Sequence, residues 1–122
     1  MKIFGIGTDI VNVKRIETIL KKNKKSFLAK VFTKNEIKIF SKYKSNQPSK
    51  IALKFAAKEA LSKSLGTGIG AKASFLDVEV LNETSGKPYF RIIKKSLKKI
   101  SFKLSLSDDY PWAIAFVVAI KI

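Results

Sequence analysis

Two acids and a lysine stand in or beside apolar stretches of the chain. Glu59 lies in the run AAKEALSKSLGTGIG (residues 56–70), among Ala56, Ala57, Ala60 and Leu61, with Lys63 four residues on. Asp9 follows the apolar stretch KIFGIGT. If Glu59 and Lys63 are both on a helix surface, their i, i+4 spacing makes an ion pair contributing about 0.2–0.5 kcal/mol. A carboxylate turned inward loses far more than such a pair returns, and then needs more positive charge than one lysine offers. A divalent metal ion is one source of that charge. Asp9 has two readings of its own. It can cap or turn the chain into the next helix, or it can be a second oxygen ligand. Two carboxylates suit Mg²⁺, which usually keeps waters and completes its shell with substrate phosphates.

The chain has no histidine and no cysteine. Imidazole bases, thiolate nucleophiles, zinc sites of the His/Cys type and disulfides are all excluded. Catalysis must use carboxylates, lysines, hydroxyls, backbone amides or a hard metal. The loop Gly66-Thr67-Gly68-Ile69-Gly70 can bring backbone N–H groups close to phosphate oxygens, with Lys63 and Lys54 adding charge. It can equally be a plain helix stop, and it sits at a helix C-terminus, where the dipole disfavours anions. It is not a Walker loop, because no GK[ST] ending follows.

These residues need a fold to bring them together. The 122 residues suit one domain, 1–122, and 46% are apolar, a globular composition. Lysine and arginine number 25 against 9 acids, giving a formal charge of +16 and favouring a polyanionic or acidic partner. No apolar run approaches the ~20 residues a membrane helix needs. Asp9 interrupts the N-terminal apolar stretch too early for a signal peptide, so a soluble, cytoplasmic protein is expected.

Residues Lys2–Thr8 read as a strand, and Gly5 and Gly7 leave the face they share with Asp9 bare for a backbone or a ligand. A helical stripe begins at about Val13. The run KKNKK (21–25) ends or frays it, and Phe27, Leu28, Val31 and Phe32 suggest a second short helix. Thr33-Lys34-Asn35-Glu36 is a capping box that opens a helix from Lys34 to about Tyr43. The longest helix is expected from Ser49 to Leu65, stopped by Gly66. Strands are expected at Phe75–Leu81, Pro88–Ile93, Ser101–Leu106 and Trp112–Ile120, with a turn at Asn82–Lys87 and a helical turn or loop at Ser96–Lys99. The fold class is α+β: a helical N-terminal half on a mainly antiparallel sheet that the first strand joins.

The motifs GIGTDIVNVKRIE (5–17) and KFAAKEALSKSLGTGIG (54–70), in this order and at this separation, resemble the bacterial holo-[acyl-carrier-protein] synthases, a family of 4′-phosphopantetheinyl transferases. FTKNE (32–36), the GKP turn (86–88) and SLSDDYPWAIAFVV (105–118) extend the resemblance over essentially the whole chain. It implies a 4′-phosphopantetheinyl transferase-like fold. It also implies Mg²⁺-dependent transfer of the phosphopantetheine arm of coenzyme A to a serine of an acyl carrier protein, in fatty acid biosynthesis, releasing adenosine 3′,5′-bisphosphate. Asp9 and Glu59 match the magnesium ligands, and Lys63 the lysine at the diphosphate. Coenzyme A would be met by Lys54, Lys63, Gly66, Thr67, Gly68, Lys87, Pro88, Ser107 and Asp108; the family often has His where Asp108 stands. A homotrimer with sites between subunits is implied, with no nucleic acid or membrane partner. The acidic carrier protein would give the positive charge a purpose, docking on Arg15, Ile19 and Lys22 of the first helix. The competing reading is a small basic module that binds nucleic acid through its lysines and exposed aromatics such as Tyr89 and Phe102. That reading leaves Asp9 and Glu59 unexplained.

Overall fold

The computed structural model describes residues 1–122. The elements run β1 (Lys2–Asn12), α1 (Val13–Val31), α2 (Lys34–Ser41), α3 (Gln47–Ser64), β2 (Val78–Asn82), β3 (Pro88–Ile92), β4 (Ile100–Asp109) and β5 (Trp112–Lys121). Short 3₁₀ turns lie at Phe75–Asp77 and Lys95–Lys99. The α+β class holds, and every strand pairing is antiparallel. The strands form two sheets, not one: a three-stranded sheet ordered β1-β5-β4 and a separate hairpin of β2 and β3.

β1 is longer than the sequence suggests. Pairing with β5 continues past Thr8, through Asp9 opposite Ala115, to Asn12 opposite Trp112. The N-cap of α1 is Asn12, whose side-chain oxygen accepts from the Lys14 amide at 3.0 Å. Asp9 is therefore released from the capping role and projects from mid-strand. The expected break at KKNKK is one non-helical residue, Asn23 (φ −143°, ψ 48°), and the two helical runs join through it as α1. The capping box forms as expected: Thr33 Oγ1 accepts from the Glu36 amide, and the Glu36 carboxylate accepts from the Thr33 amide.

The bare face of β1 receives a backbone. A Cβ on Gly7 would overlap the Ala60 carbonyl oxygen and lie 2.7 Å from the Ser64 amide nitrogen, and one on Gly5 would overlap the Ser64 carbonyl. Helix α3 thus lies directly on the strand, its alanines 52, 56, 57 and 60 fully buried. Val11 from β1 and Ala113, Ala115 and Val117 from β5 complete that side of the core.

A buried ion pair fixes the other side of α3. Lys58 Nζ donates to Glu36 Oε1 at 2.7 Å, to the Val31 carbonyl at 2.9 Å and to the Phe75 carbonyl at 2.8 Å, and both side chains are wholly inaccessible. The second Glu36 oxygen accepts from the Val80 amide at 2.8 Å. One lysine and one glutamate so join α1, α2, α3 and β2, each charge with its partners satisfied. Taking both charges out of water is itself costly, and removing one partner costs about 3–5 kcal/mol because the other charge stays buried.

The glycine contact makes a direct prediction. Gly7→Ala should lower unfolding stability by about 1–3 kcal/mol or more, as overpacking against rigid backbone does, measured by urea denaturation. Unchanged stability would contradict the close approach.

Candidate functional site

Helix α3 carries two stripes with different fates. Lys50, Lys54 and Lys58 follow one another at four-residue spacing, and Lys54 and Lys58 are buried. Phe55, Glu59 and Lys63 form the second stripe: Phe55 packs on Phe27 and Phe75, and Lys63 reaches β1 beside the glycine contact. Lys63 Nζ donates to Asp9 Oδ1 at 3.0 Å and to the Thr8 carbonyl at 3.1 Å. The Asp9 side chain is 15% exposed and that of Lys63 is 51% exposed.

Glu59 belongs to the same group of charges. Burial, followed by the negative charge of Asp9, pushes its carboxyl above the ordinary range; Lys63 and then Arg15 act in the opposite direction. The structure thus brings Asp9, Glu59 and Lys63 together, with Arg15 from the start of α1 within electrostatic reach. No third carboxylate joins them. Two hard oxygen donors whose mutual repulsion is incompletely offset form a site whose chemistry fits a small dication with open positions. Removing a proton from Glu59 raises that demand, and a second positive charge would meet it.

The other expected residues, Arg15 apart, lie away from this group. Lys54 lines a cavity of about 290 Å³ with Tyr43, Lys50, Leu53, Asn82, Gly86 and Leu106, and its ammonium stands 5.6 Å from the Phe40 ring centroid. Burial first, then the neighbouring Lys50 and Lys58, lower its pKa against the pull of Glu36. Lys87 and Pro88 continue from Gly86, whose carbonyl accepts from Asn82 Nδ2 at 3.0 Å. Asp108 lines a second cavity, of about 360 Å³, with Asn46, Ser49, Lys50, Leu53 and Tyr110. Ser107, beside it on β4, is exposed opposite Ile114. Arg15, Ile19 and Lys22 fall on one stripe of α1, with Arg15 and Lys22 exposed and Ile19 half-buried.

The loop needs a correction. The amides of Gly66 and Gly68, both at φ +81°, donate back to the carbonyls of Lys63 (2.9 Å) and Ser62 (3.3 Å). They close the helix, so they are not the free phosphate donors that one reading required. The alternative reading, a helix stop, is what the backbone shows.

Lys50, which lines both cavities and stacks 5.1 Å above Tyr43, was not singled out from the sequence. Its signal was the four-residue spacing to Lys54 and Lys58. Of the two aromatics offered for nucleic acid, Phe102 packs edge-on to Phe90 at 6.1 Å and only Tyr89 is exposed.

Comparison with known proteins adds to this geometry. Residues 5–115 match the model of a family described as the 4′-phosphopantetheinyl transferase superfamily. A holo-[acyl-carrier-protein] synthase of Wolbachia pipientis (subsp. Culex pipiens) is 46% identical over 119 residues, covering 95% of this chain and 96% of the relative. One of Zymomonas mobilis is 43% identical, covering 95% of each. Among solved structures, a holo-(acyl-carrier-protein) synthase of Bacillus anthracis in complex with CoA (3′,5′-ADP) superposes with a TM-score of 0.89 at 38% identity over the whole of both chains. A Helicobacter pylori holo-[acyl-carrier-protein] synthase in complex with coenzyme A gives 0.80 at 37% identity, covering 93% of this chain and 98% of that one.

The raised Glu59 carboxyl gives a pH-dependent expectation. As pH rises, the unfolded chain releases this proton before the folded one does, so folding stability falls across that window. With chelator present, Glu59→Gln should raise the melting temperature at neutral pH. The gain should vanish below about pH 4, where glutamates are protonated in either state. A loss of stability at neutral pH, or a gain independent of pH, would contradict the assignment.

Proposed function

The chain belongs to the 4′-phosphopantetheinyl transferase superfamily and is an enzyme of its holo-[acyl-carrier-protein] synthase group, and from that premise we propose how its own residues perform the transfer. The 4′-phosphopantetheine arm of coenzyme A goes to a serine of an apo acyl carrier protein, with Mg²⁺ as the cofactor. The observation that carries this reading is the convergence of Asp9, Glu59 and Lys63, with Lys63 bonded to Asp9 at 3.0 Å.

Asp9 and Glu59 supply the oxygen ligands. A dication held by these two carboxylates would supply Lewis-acid polarisation of the coenzyme A diphosphate. The serine oxygen forms the new bond to the phosphorus next to pantetheine, and the bond from that phosphorus to the bridging oxygen breaks. Adenosine 3′,5′-bisphosphate leaves, and the serine proton passes to solvent or to another base. Lys63 would offset charge growing on the departing phosphate. The nucleotide end would occupy the surface carrying Lys54, Lys87, Pro88, Ser107 and Asp108, with Thr67 at the loop beside Lys63. Carrier-protein docking falls to Arg15, Ile19 and Lys22, where exposed positive charge meets an acidic partner. Fatty acid biosynthesis in the cytoplasm is the setting of this proposal.

The proposal includes a homotrimer with sites shared between subunits. Its support is the outer face of the three-stranded sheet. Ile6 (62%), Ile10 (58%), Trp112 (46%), Phe116 (43%) and Ile114 (40%) are exposed there, an apolar surface of the kind that marks association. A modest core also gains from burial between copies.

Two outcomes are expected. Incubating the protein with coenzyme A, Mg²⁺ and an apo carrier protein should add one phosphopantetheine group, read by mass spectrometry; chelator should stop it, and Glu59→Ala should abolish it while leaving the fold intact. No transfer by the wild type, or wild-type turnover by the variant, would contradict the reading. In light scattering the protein should have the mass of three chains, and Phe116→Asp should shift it to monomer; a monomeric wild type would remove the trimer.

A further inference from the structure

Lys63 makes two contacts that its role at a substrate phosphate does not require. Its ammonium bonds Asp9 Oδ1 at 3.0 Å and the Thr8 carbonyl at 3.1 Å. These are the oxygens that face α3 from β1, and Oδ1 belongs to one of the two carboxylates able to bind a dication. An ammonium and a divalent ion cannot share one carboxylate oxygen without strong repulsion.

The backbone around this contact has little freedom to adjust. Gly7 abuts Ala60 and Ser64, and Asp9 is held in strand pairing opposite Ala115. The distance between β1 and α3 is therefore set by packed main chain. The movable part is the Lys63 side chain, four methylenes long and 51% exposed. Asp9 is fixed and mostly shielded, whereas Lys63 can swing out to solvent.

We propose that Lys63 is an exchangeable internal cation: it neutralises Asp9 until a dication takes its place, and the displacement delivers its ammonium to the substrate diphosphate. This inference rests on the metal reading above and deepens it. It explains why a half-exposed lysine reaches a mid-strand aspartate when Glu59, one turn away on its own helix, lies closer in sequence. It also gives a physical coupling. A bound diphosphate draws Lys63 off Asp9 and so strengthens metal binding, and metal in turn frees Lys63 for the diphosphate. By linkage the two effects are equal.

The test is Mn²⁺ binding to nucleotide-free protein, followed by electron paramagnetic resonance, for wild type, Lys63→Met, Arg15→Met and Asp9→Asn. Lys63→Met should bind Mn²⁺ about two- to fivefold more tightly, roughly the effect of losing one partly exposed ion pair. Arg15→Met, which removes a nearby charge not bonded to Asp9, should gain less, and Asp9→Asn should lose the site. In wild type, saturating Mg²⁺ should move the Lys63 side-chain nuclear magnetic resonance signals toward those of a free lysine. Equal affinities in wild type and Lys63→Met, an equal gain in Arg15→Met, or unmoved Lys63 signals would overturn the exchange while leaving an Asp9-dependent metal site standing. Absence of Asp9-dependent binding from both wild type and Lys63→Met would remove the metal reading, and the exchange with it.

Discussion

The site depends on the direct contact of a helix backbone with a strand backbone at Gly5 and Gly7. With any side chain at position 7, the Ala60 carbonyl would have to retreat, carrying Glu59 and Lys63 away from Asp9. The contact is possible because β1 has no side chains there and α3 presents Ala60 and Ser64. These small residues are the means by which acidic groups distant in the chain are held at one point. The arrangement is rigid where it concerns the backbone and adjustable only in the long side chain of Lys63. That division is what the proposed exchange of Lys63 requires: a fixed backbone and one movable charge.

The opposite face of α3 supports the same helix by different means. The Glu36–Lys58 pair is buried and completely hydrogen-bonded, and it ties the helix to three other elements. Consecutive residues of α3 therefore have contrasting duties. Lys58 fixes the helix in the core, and Glu59 carries an incompletely balanced charge at the surface. Burial and the nearby charge of Asp9 hold the Glu59 carboxyl above its ordinary range.

Much of this was legible in the sequence because the signals are local. The capping box at Thr33–Glu36, the glycine stop at Gly66 and the bare face of β1 each follow from residue types at short spacing. The α+β class followed from helical periodicity giving way to strands. What was not legible depends on tertiary partners. Strand pairing with β5 carried β1 four residues past Thr8 and gave the capping role to Asn12. The separation of β2 and β3 into their own hairpin depends on which strands pair, and periodicity does not encode that. Nothing in the local sequence sets Lys58 apart from the chain's other lysines; its role depends on the approach of Glu36 from α2. The loop amides were ambiguous between capping and phosphate binding until their acceptors were known. Residue types alone left Asp9 open between a capping residue and a second oxygen ligand beside Glu59. The family resemblance favoured the second, and no spacing rule could, since 50 residues separate them.

The account stands on one claim, that Asp9 and Glu59 hold a single dication against the diphosphate of coenzyme A. The most direct measurement is anomalous diffraction from a crystal grown with Mn²⁺ and coenzyme A. The account predicts one peak in contact with a carboxylate oxygen of each residue and with oxygens of the diphosphate, and Lys63 no longer bonded to Asp9. A peak bound by the nucleotide alone, or one that leaves either carboxylate without a part in its coordination, would contradict it.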